Sequence, residues 1–344
     1  MRLLLFALPL LMVIFFMRKI PRFAEWYMEN VYPFLATTLS TFSNFFSFSL
    51  SDVCYLLFAI AATVLLVLMI IRKIKFLKGL YIILCSLTLI IAVFYFLWGF
   101  AYFRQDFCTR AGIRQTEYDT EVFAVFAENF RDKLNRVYVK IDTIDKVEID
   151  KHIELQYEKQ KDFLKIPYPN GKRKAKQMLF ENFFSSMGVV GYFGLFNEIH
   201  LNNYALNFQY PFSLAHEKAH QFGIASEAEA NLFAFFVCAV NDDESIRYSA
   251  YFSLFPFICN DYQKFFPDKY EEFIEHLDKR VLADLLTASD HWAAVRNKIL
   301  NNTQNAIYDA YLKTNKISSG KANYSEVISL LIAFQCKNCC TFTL

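Results

Sequence analysis

PFSLAHEKAHQFGIASEAEAN occupies residues 211–231 of this 344-residue chain and predicts the centre of its fold. On a helix, His216 and His220 lie one turn apart on the same face, so both imidazoles can reach one metal ion. Glu217 lies beside them, where a carboxylate can accept a proton from a metal-bound water. The stretch therefore predicts a helix that carries two metal ligands and a general base.

A second helix is predicted directly after the first. Gly223 is a residue at which a helix naturally ends, and Ser226-Glu227-Ala228-Glu229 has the pattern of a capping box that begins the next helix. Only Ile224 and Ala225 separate these two signals. A turn this short folds the second helix back over the first and brings its carboxylates towards the histidines.

Two carboxylates compete for the place of a third ligand. The capping box gives Glu229 a structural role, with its side chain reaching back to the backbone of Ser226. Glu227 has no such role, so the residues favour Glu227 and leave Glu229 as the alternative ligand. Asn231 lies one turn after Glu227, where it can orient a ligand by a hydrogen bond. Two histidines, one carboxylate and a water form a usual catalytic zinc site, so the expected cofactor is Zn²⁺.

Hydrolysis at such a site needs a further hydrogen-bond donor for the oxyanion. Tyr248 and Arg247 are polar residues in an otherwise aromatic run, and His200 precedes the metal-binding helix. Each of the three is a candidate, with Tyr248 preferred among them, although a purely structural role is favoured over a catalytic one for each. Histidine pairs on helices are often ordinary core or surface residues, but the coincidence of motif, turn and carboxylates favours a metal site.

The composition restricts the class of protein. Hydrophobic residues make up 55% of the chain, with 39 Phe and 20 Tyr, which is too apolar for an ordinary soluble domain. The net charge of +2 indicates no basic surface for nucleic acid, so no nucleic-acid partner is expected. Glycine is scarce, at 9 residues, and no glycine-rich phosphate loop is present in the sequence.

The apolar excess is concentrated in residues 1–104, which we interpret as a membrane region. Segments 53–71 and 79–99 carry no charge, and as helices they would extend about 28 and 31 Å, the thickness of a hydrocarbon core. Segment 3–17 is shorter. No small-residue cleavage site follows it, so we predict an uncleaved third membrane helix rather than a signal peptide. The lipid bilayer is therefore an expected partner.

Basic residues set the predicted orientation. The turn between the second and third membrane helices has four positive charges and no negative one, namely Arg72, Lys73, Lys75 and Lys78. We therefore place this turn in the cytoplasm and the chain after residue 100 outside. Three other basic residues argue for the opposite orientation, namely Arg18, Lys19 and Arg22.

Residues 105–335 form the predicted catalytic domain, which is mainly α with a small β-sheet, an α+β arrangement. A strand is expected within 189–206, and apolar periodicity predicts helices at 117–139, 271–286, 290–311 and 324–334. The basic run Arg173, Lys174 and Lys176 is interpreted as a solvated face, with contact to phospholipid as the alternative.

The last segment, 336–344, is a cysteine-rich tail that contains Cys336, Cys339 and Cys340. A structural zinc site usually needs two pairs of such ligands, and the sequence has no second pair. The tail is therefore expected to be exposed or to form disulfides, rather than to bind zinc.

A family resemblance adds to these residues. His-Glu-x-x-His, followed on the next helix by Glu227-Ala228-Glu229-Ala230-Asn231, resembles the gluzincins of the membrane prenyl-protease type, in which Asp usually stands at the position of Asn231. The chain resembles the bacterial DUF3810 family more closely. The resembling stretches are Trp98 to Arg104, Gly191 to Phe193, His216 to Gly223, Glu227 to Asn231, Arg247 to Ser249, Tyr311 to Asn315 and Tyr324-Ser325.

The resemblance implies a membrane-anchored zinc metallopeptidase in the bacterial inner membrane, with Glu227 as the third ligand. It also implies an edge strand upstream of the His-Glu helix with which an extended substrate pairs, although an ordinary strand in a small sheet remains the alternative. An amide at position 231 can still accept a hydrogen bond from a histidine, but it adds no negative charge. This departure leaves open how far the basicity of the ligands matches that in the prenyl proteases.

The sequence therefore favours a multi-pass membrane protein that hydrolyses peptide bonds of a peptide or protein substrate with a metal-activated water. The alternative is a zinc-binding membrane sensor or assembly factor without turnover. A scaffold without metal is a weaker third reading. The intact Glu217 favours the enzyme, because a degenerate site would be expected to lose its base first.

Overall fold

The computed structural model describes residues 2–113, 119–168 and 173–337. Within them the chain is mainly helical with a small three-stranded sheet, which confirms the predicted fold class. The strands are β1 (Ala175–Gln177), β2 (Gly191–Phe193) and β3 (Ile199–Leu201). The helices are α1 (Arg2–Met17), α2 (Pro21–Asn30), α3 (Tyr32–Ser43), α4 (Leu50–Ile70), α5 (Phe76–Leu97), α6 (Phe107–Ala111), α7 (Thr120–Arg136), α8 (Lys146–Gln160), α9 (Glu181–Ser186), α10 (Tyr210–Gln221), α11 (Glu227–Ala239), α12 (Glu244–Phe265), α13 (Tyr270–Glu275), α14 (Lys279–Val295), α15 (Lys298–Thr314) and α16 (Val327–Lys337).

The predicted pair of helices around the histidines is confirmed. α10 ends at Gln221, and Gly223 adopts a left-handed backbone with φ of 85°, which glycine takes without strain. Ser226 caps α11, because its hydroxyl accepts a hydrogen bond from the backbone N–H of Glu229 at 3.3 Å. Both helices are buried almost throughout, and they pack against α8 and α12 in the main hydrophobic core.

An ion cluster fixes α10 to α8. Lys218 stands between the two histidines in sequence and is fully buried, with its Nζ 2.5 Å from Glu154 and 3.1 Å from Asp150. Arg173 pairs with the same Glu154 at 2.9 Å. Since a buried charge is tolerated only when it is paired, this cluster fixes the rotation of α10 about its axis. It thereby turns the histidine face of α10 away from α8.

The basic run that follows residue 172 is not the solvated face that we predicted. Arg173 and Lys176 are buried, and only Lys174 is exposed. Lys176 pairs with Glu198 at 2.5 Å, beside β3. The prediction was wrong because the acidic partners Glu154 and Glu198 lie outside the run, which by itself has the composition of a surface segment.

Acid is expected to destabilise the protein through Glu154. Burial raises the pKa of this carboxyl, but Lys218 and Arg173 outweigh it and lower the pKa from 4.5 to about 2. The unfolded chain therefore takes up this proton at a higher pH than the folded protein does, and the stabilisation that is complete above pH 4.5 is lost as the pH falls towards 2. Thermal unfolding followed by circular dichroism should show a flatter acid dependence for Glu154→Gln. Equal slopes for the variant and the wild type would contradict this assignment.

The sheet lies against α10 and has the strand order β1-β3-β2. β1 is parallel to β3, and β2 is antiparallel to it, so β2 is an edge strand. The single strand predicted within 189–206 is therefore two strands. A reversal at Phe196 and Asn197, with φ of 59° and 55°, separates them.

Among the residues described, α4 and α5 are long and apolar enough to cross a membrane, and they coincide closely with the predicted segments 53–71 and 79–99. α1 is a helix as predicted, but its 16 residues extend only about 24 Å. α2 and α3 occupy the segment between α1 and α4. Together with parts of α1 and α5 they form a second, smaller core that reaches Leu312 of α15.

The beginning of α4 is bound to the sheet. Ser51 donates hydrogen bonds to Glu198 from its backbone N–H at 2.9 Å and from its hydroxyl at 2.7 Å. Asp52 accepts a hydrogen bond from the hydroxyl of Tyr192 on β2. Because Glu198, Ser51 and Asp52 are all buried, these contacts join the apolar helix and the sheet into one packed unit.

The C-terminal helices differ from the predicted bounds. Segment 271–286 is divided between α13 and α14, because Asp278 caps α14 by accepting the backbone N–H of Arg280 at 2.8 Å. Segment 290–311 is divided between α14 and α15, where Asn297 is the cap. Asp and Asn are strong N-cap residues, and the prediction followed the apolar periodicity without using this signal.

Two further predicted helices are found near their expected places. Segment 117–139 corresponds to α7 and segment 324–334 to α16, which a 3-10 turn precedes. In the predicted cysteine tail, the backbone of Cys336 belongs to α16. Cys339 and Cys340 lie outside the described residues.

Candidate metal centre

The three predicted ligands come together where α10 and α11 meet. The Nε2 atoms of His216 and His220 lie 3.1 Å apart. Oε2 of Glu227 lies 3.1 Å from Nε2 of His216 and 3.3 Å from Nε2 of His220. All three residues are buried, and together they form a group that could hold a metal ion.

Both imidazoles are held in a defined orientation. Nδ1 of His216 donates to Oδ1 of Asn231 at 2.8 Å, and Nδ1 of His220 donates to the backbone carbonyl of Ile224 at 2.7 Å. The amide of Asn231 is fixed in turn, because its Nδ2 donates to the carbonyl of Tyr324 at 3.3 Å. Because Nδ1 of each ring is engaged in these bonds, Nε2 is the atom that each histidine has left for a metal in the space beside Glu227.

The donor set fits a divalent metal. Tetrahedral zinc with bonds of 2.0–2.1 Å places its ligand atoms about 3.3 Å apart, close to the distances among His216, His220 and Glu227. Oε2 of Glu227 is buried without a hydrogen-bond partner among the described residues. Burial raises the pKa of Glu227, but the two histidines outweigh it and hold the pKa well below its usual range. The space between the three groups therefore favours positive charge.

The other carboxylate oxygen of Glu227, Oε1, has a hydrogen-bond partner. It accepts a hydrogen bond from the hydroxyl of Tyr308 on α15. Burial and the neighbouring Glu227 raise the pKa of Tyr308 well above its usual value, so its hydroxyl remains a donor at neutral pH. Glu227 is thus fixed from α15 while its Oε2 faces the histidines.

Glu229 points away from the centre. Its carboxylate accepts the backbone N–H of Phe107 at 2.7 Å and pairs with Arg110 at 2.7 Å. The choice of Glu227 over Glu229 as the third ligand agrees with the structure, but the reason for that choice differs in part. Glu229 is occupied by α6 and not by the backbone of Ser226, to which we expected it to return.

Glu217 is buried beside the histidines, and its Oε2 has no hydrogen-bond partner among the described residues. A Cβ at Gly191 would lie 2.6 Å from Oε1 of Glu217, so only glycine lets the carboxylate approach β2 this closely. Burial raises the pKa of Glu217, the negative charge of Glu227 adds to this, and the two histidines oppose it. A buried carboxylate that favours its proton is suited to act as a general base.

The metal centre opens on a cavity of about 1050 Å³. Glu217, the three ligands and β2 line it together. Part of the wall is apolar and comes from the end of α5, with Phe94, Leu97 and Trp98. Another part is polar and comes from the start of α15 and its neighbours, with Arg296, Asn301, Gln304, Asn305 and Lys321.

A family model described as "Protein of unknown function (DUF3810)" matches residues 27–332. The chain belongs to the DUF3810 family. The match includes α4, α5, the sheet and the complete metal centre, so the apolar helices and the site are parts of one family unit. Comparison with curated proteins and with solved structures gave no match.

In this DUF3810 protein, the predicted oxyanion donors do not line the cavity. Tyr248 is fully buried, and its hydroxyl donates to Asp284 at 2.6 Å. Arg247 donates to the backbone carbonyls of residues 241 and 242. Nε2 of His200 lies 2.8 Å from the hydroxyl of Ser49, at the beginning of α4. The geometry gives these three residues structural contacts.

Sequence reasoning gave the tyrosines of the site no role, although Tyr311 and Tyr324 stand in stretches that resemble the family. Tyr308 binds Glu227, and Tyr324 stacks on His216 with the ring centroids 6.1 Å apart and the rings within 12° of parallel. Tyr311 lies one turn after Tyr308 on the same face of α15 and also lines the cavity. The spacing of three residues between Tyr308 and Tyr311 indicates a shared helix face. No local feature of the sequence connects that face with the His-Glu motif, which lies about 90 residues earlier.

Proposed function

We propose that this protein is a membrane-anchored zinc metallopeptidase. The observation that carries the proposal is the position of Glu217, a buried carboxylate with one unpartnered oxygen, next to the His216–His220–Glu227 group and on a cavity wall. A structural metal site has no need of such a carboxylate. A hydrolytic site needs one to take a proton from water.

Each residue of the site would have a separate role in hydrolysis. His216, His220 and Glu227 would hold Zn²⁺, and Asn231 would keep His216 in the tautomer that binds it. Bound zinc would lower the pKa of a water to about 7 and polarise a carbonyl. Glu217 would accept the proton of that water and later deliver it to the leaving amine. The neutral hydroxyls of the cavity wall, Tyr311 among them, are available to the oxyanion.

The edge strand gives the substrate a place to bind. The backbone N–H of Asn202 donates to Val190, and that of Gly194 donates to Glu198, each at 2.9 Å. Backbone groups of an antiparallel strand alternate in direction, so those of Gly191 and Phe193 point away from β3. An extended peptide would pair with them and pass in front of Glu217.

The apolar helices support the membrane location. The most apolar window of α4 has none of its residues buried and that of α5 has 17% buried, so neither is a core helix. α4 begins and α5 ends next to the sheet and the cavity, so the basic turn between them lies at the far ends of both helices. By the positive-inside rule this turn is cytoplasmic, and the catalytic domain lies outside the bacterial cell membrane.

Purified protein in detergent is expected to cleave peptides in a metal-dependent way. A chelator such as 1,10-phenanthroline should stop the cleavage, and added zinc should restore it. Metal analysis of the same sample separates the possible outcomes. Bound zinc without any cleavage would contradict the peptidase and favour a non-catalytic zinc protein, and cleavage that survives complete metal removal would contradict the metal mechanism.

Replacement of two neighbouring carboxylates should give opposite results. Glu227→Gln is expected to lower zinc affinity by about 100-fold or more, because it removes a charged ligand. Glu229→Gln is expected to keep zinc and to lower stability, because Arg110 loses its partner. Zinc content after dialysis against a competing chelator measures the first effect, and thermal unfolding measures the second. Loss of zinc in Glu229→Gln alone would make Glu229 the ligand.

A further inference from the structure

α15 forms one long wall of the cavity, and its two ends differ. Near its start, Asn301 donates its amide to the carbonyl of Met187 at 2.6 Å, in the loop that leads into β2. Near its end, Tyr311 packs against Phe94 of α5 with the ring centroids 6.2 Å apart. Tyr308, which binds the metal ligand Glu227, lies between them. The helix therefore runs from a polar end, past the metal centre, to an apolar end.

β2 and the loop before it form the facing wall of the cavity. Like α15, they run from the polar end to the aromatic end. At its far end, Phe193 packs against Trp98 with the ring centroids 5.2 Å apart. At its near end, a Cβ on Gly188 would lie 3.2 Å from Nε of Arg296. Both walls therefore give the cavity one aromatic end beside α5 and one polar end at Arg296.

The polar end is built by a chain of hydrogen bonds. Nζ of Lys321 donates to Oδ1 of Asn305 at 2.5 Å, and Nδ2 of Asn305 donates to Oδ1 of Asn301 at 3.2 Å. Asn301 in turn holds the carbonyl of Met187. The backbone N–H of Asn297 also donates to the carbonyl at residue 186 at 2.8 Å, and this anchors the turn that carries Arg296. The ammonium of Lys321 is thus held at the cavity wall by Asn305, and the backbone of the turn that carries Arg296 is anchored beside it.

Arg296 and Lys321 give the polar end of the cavity its positive charge. In 2–113, 119–168 and 173–337, no residue forms an ion pair with Arg296 or with Lys321. Lys321 is half-buried, and burial lowers its pKa. Glu227 and Asp309 oppose that shift, and Arg296 adds to it. The carboxylate of Asp309 also accepts the backbone N–H of Lys321 at 2.9 Å. Glu227 faces the histidines and Asp309 pairs with Lys313 at 2.7 Å, so with a metal bound at the histidines the polar end keeps two positive charges that no described carboxylate pairs with directly.

We propose that Arg296 and Lys321 bind a carboxylate of the peptide substrate, either its free C-terminus or the side chain of an Asp or Glu. This inference rests on the proposed peptidase function and adds a preference to it. The preferred substrate has apolar side chains towards α5 and a carboxylate on the other side of the bond that is cut. The guanidinium and the ammonium would supply charge-assisted hydrogen bonds to the carboxylate oxygens.

The spacing along α15 gives the position of this carboxylate. Tyr308 marks the metal centre. Asn305, which accepts the hydrogen bond from Lys321, lies three residues before it, about 5 Å along the helix axis. Asn301, which lies beside Gly188 together with Arg296, is seven residues before it, about 10 Å along the axis. An extended peptide advances about 3.3 Å per residue. The carboxylate should therefore lie about two to three residues from the bond that is cut.

Binding to zinc-loaded Glu217→Gln tests the proposal without requiring cleavage. The probes are three fluorescein-labelled peptides that share the core Phe-Leu-Ala-Leu-Ala-Ala. One has a free C-terminal carboxylate, one has a C-terminal amide, and one has the amide with Glu in place of the last Ala. Fluorescence anisotropy in detergent micelles should show that one or both acidic probes bind about tenfold more tightly than the neutral amide. The better acidic probe identifies which source of carboxylate is preferred.

Variants assign this preference to the two cations. Arg296→Met and Lys321→Met, each added to Glu217→Gln, should remove most of the tenfold advantage that the acidic probes have over the neutral amide. Lys298→Met is the matched control, because Lys298 is exposed and does not line the cavity. Arg296→Glu should reverse the order, so that a probe with Lys in the last position binds more tightly than one with Glu. A merely structural role of Arg296 would not produce this reversal.

The outcomes separate this inference from the peptidase proposal. Equal binding of all three probes, or an acidic preference that persists without both cations, overturns the inference. Wild-type protein that cleaves peptides without an acidic preference leaves the peptidase standing and removes the carboxylate site. An acidic preference that depends on Arg296, in a protein that cleaves nothing, leaves the carboxylate site standing and removes the peptidase.

Discussion

Glu217→Gln is expected to abolish peptide hydrolysis while the protein keeps its metal. The amide preserves the shape of the side chain next to Gly191, but it cannot take a proton from water. General-base catalysis contributes about 10²- to 10⁴-fold, so kcat should fall by that factor. Zinc content should stay the same, because Glu217 does not belong to the His216–His220–Glu227 group.

The measurement compares initial cleavage rates and zinc content in the same preparations. Glu244→Gln makes the same chemical change at an exposed position at the start of α12, and it should retain both activity and metal. Full activity of Glu217→Gln would show that another group takes the proton. Loss of zinc in this variant would place Glu217 among the ligands.

Lys218→Met should lower the free energy of unfolding by about 3–5 kcal/mol. The lysine is fully buried, and its removal leaves Glu154 and Asp150 without their shared partner in a poorly solvated place. Methionine has a suitable length but supplies no charge. Since the same contact orients α10, zinc affinity should fall together with stability.

Chemical denaturation followed by circular dichroism measures the first effect. The control is Lys151→Met, which removes an ion pair with Glu148 on the exposed face of the neighbouring α8. A solvated pair contributes at most about 1 kcal/mol, so the control should change little. Lys218→Met combined with Asp150→Asn should recover part of the loss. Equal destabilisation at positions 218 and 151 would contradict the role assigned to the buried cluster.

The metal centre could be predicted because its determinants lie close together in the sequence. The spacing of His216 and His220 defines one helix face, Gly223 ends that helix, and Ser226 begins the next. These signals depend on local backbone geometry, which a short window of sequence contains. Glu227 followed from the same window, although the partner that occupies Glu229 is α6 and not the helix cap.

The rest of the site depends on contacts between distant segments. Nothing near Tyr308 indicates that its hydroxyl meets Glu227, 81 residues earlier. Lys218 occupies one of the two unspecified positions of His-Glu-x-x-His, where the motif predicts nothing, yet its partners on α8 make it a buried ion. Tyr248 was preferred as an oxyanion donor because it is polar among aromatic residues, and Asp284 accounts for that polarity. Such pairings are consequences of packing, and periodicity does not encode them.

The hydrogen bonds between the beginning of α4 and the sheet limit where this chain can be truncated. A fragment that starts at residue 105 would keep every residue of the metal centre, but Glu198 would lose both donors of Ser51, and Tyr192 would lose Asp52. Among the described residues, the side chain of Glu198 would keep only its pair with Lys176 and its contact with His200, and Tyr192, on the strand beside Glu217, would have a hydroxyl that water must reach. The boundary between the apolar region and the region of the candidate metal centre divides the sequence, but it cuts through a packed unit. A soluble version would therefore need new partners for Glu198 and Tyr192 before its activity could represent that of the intact chain.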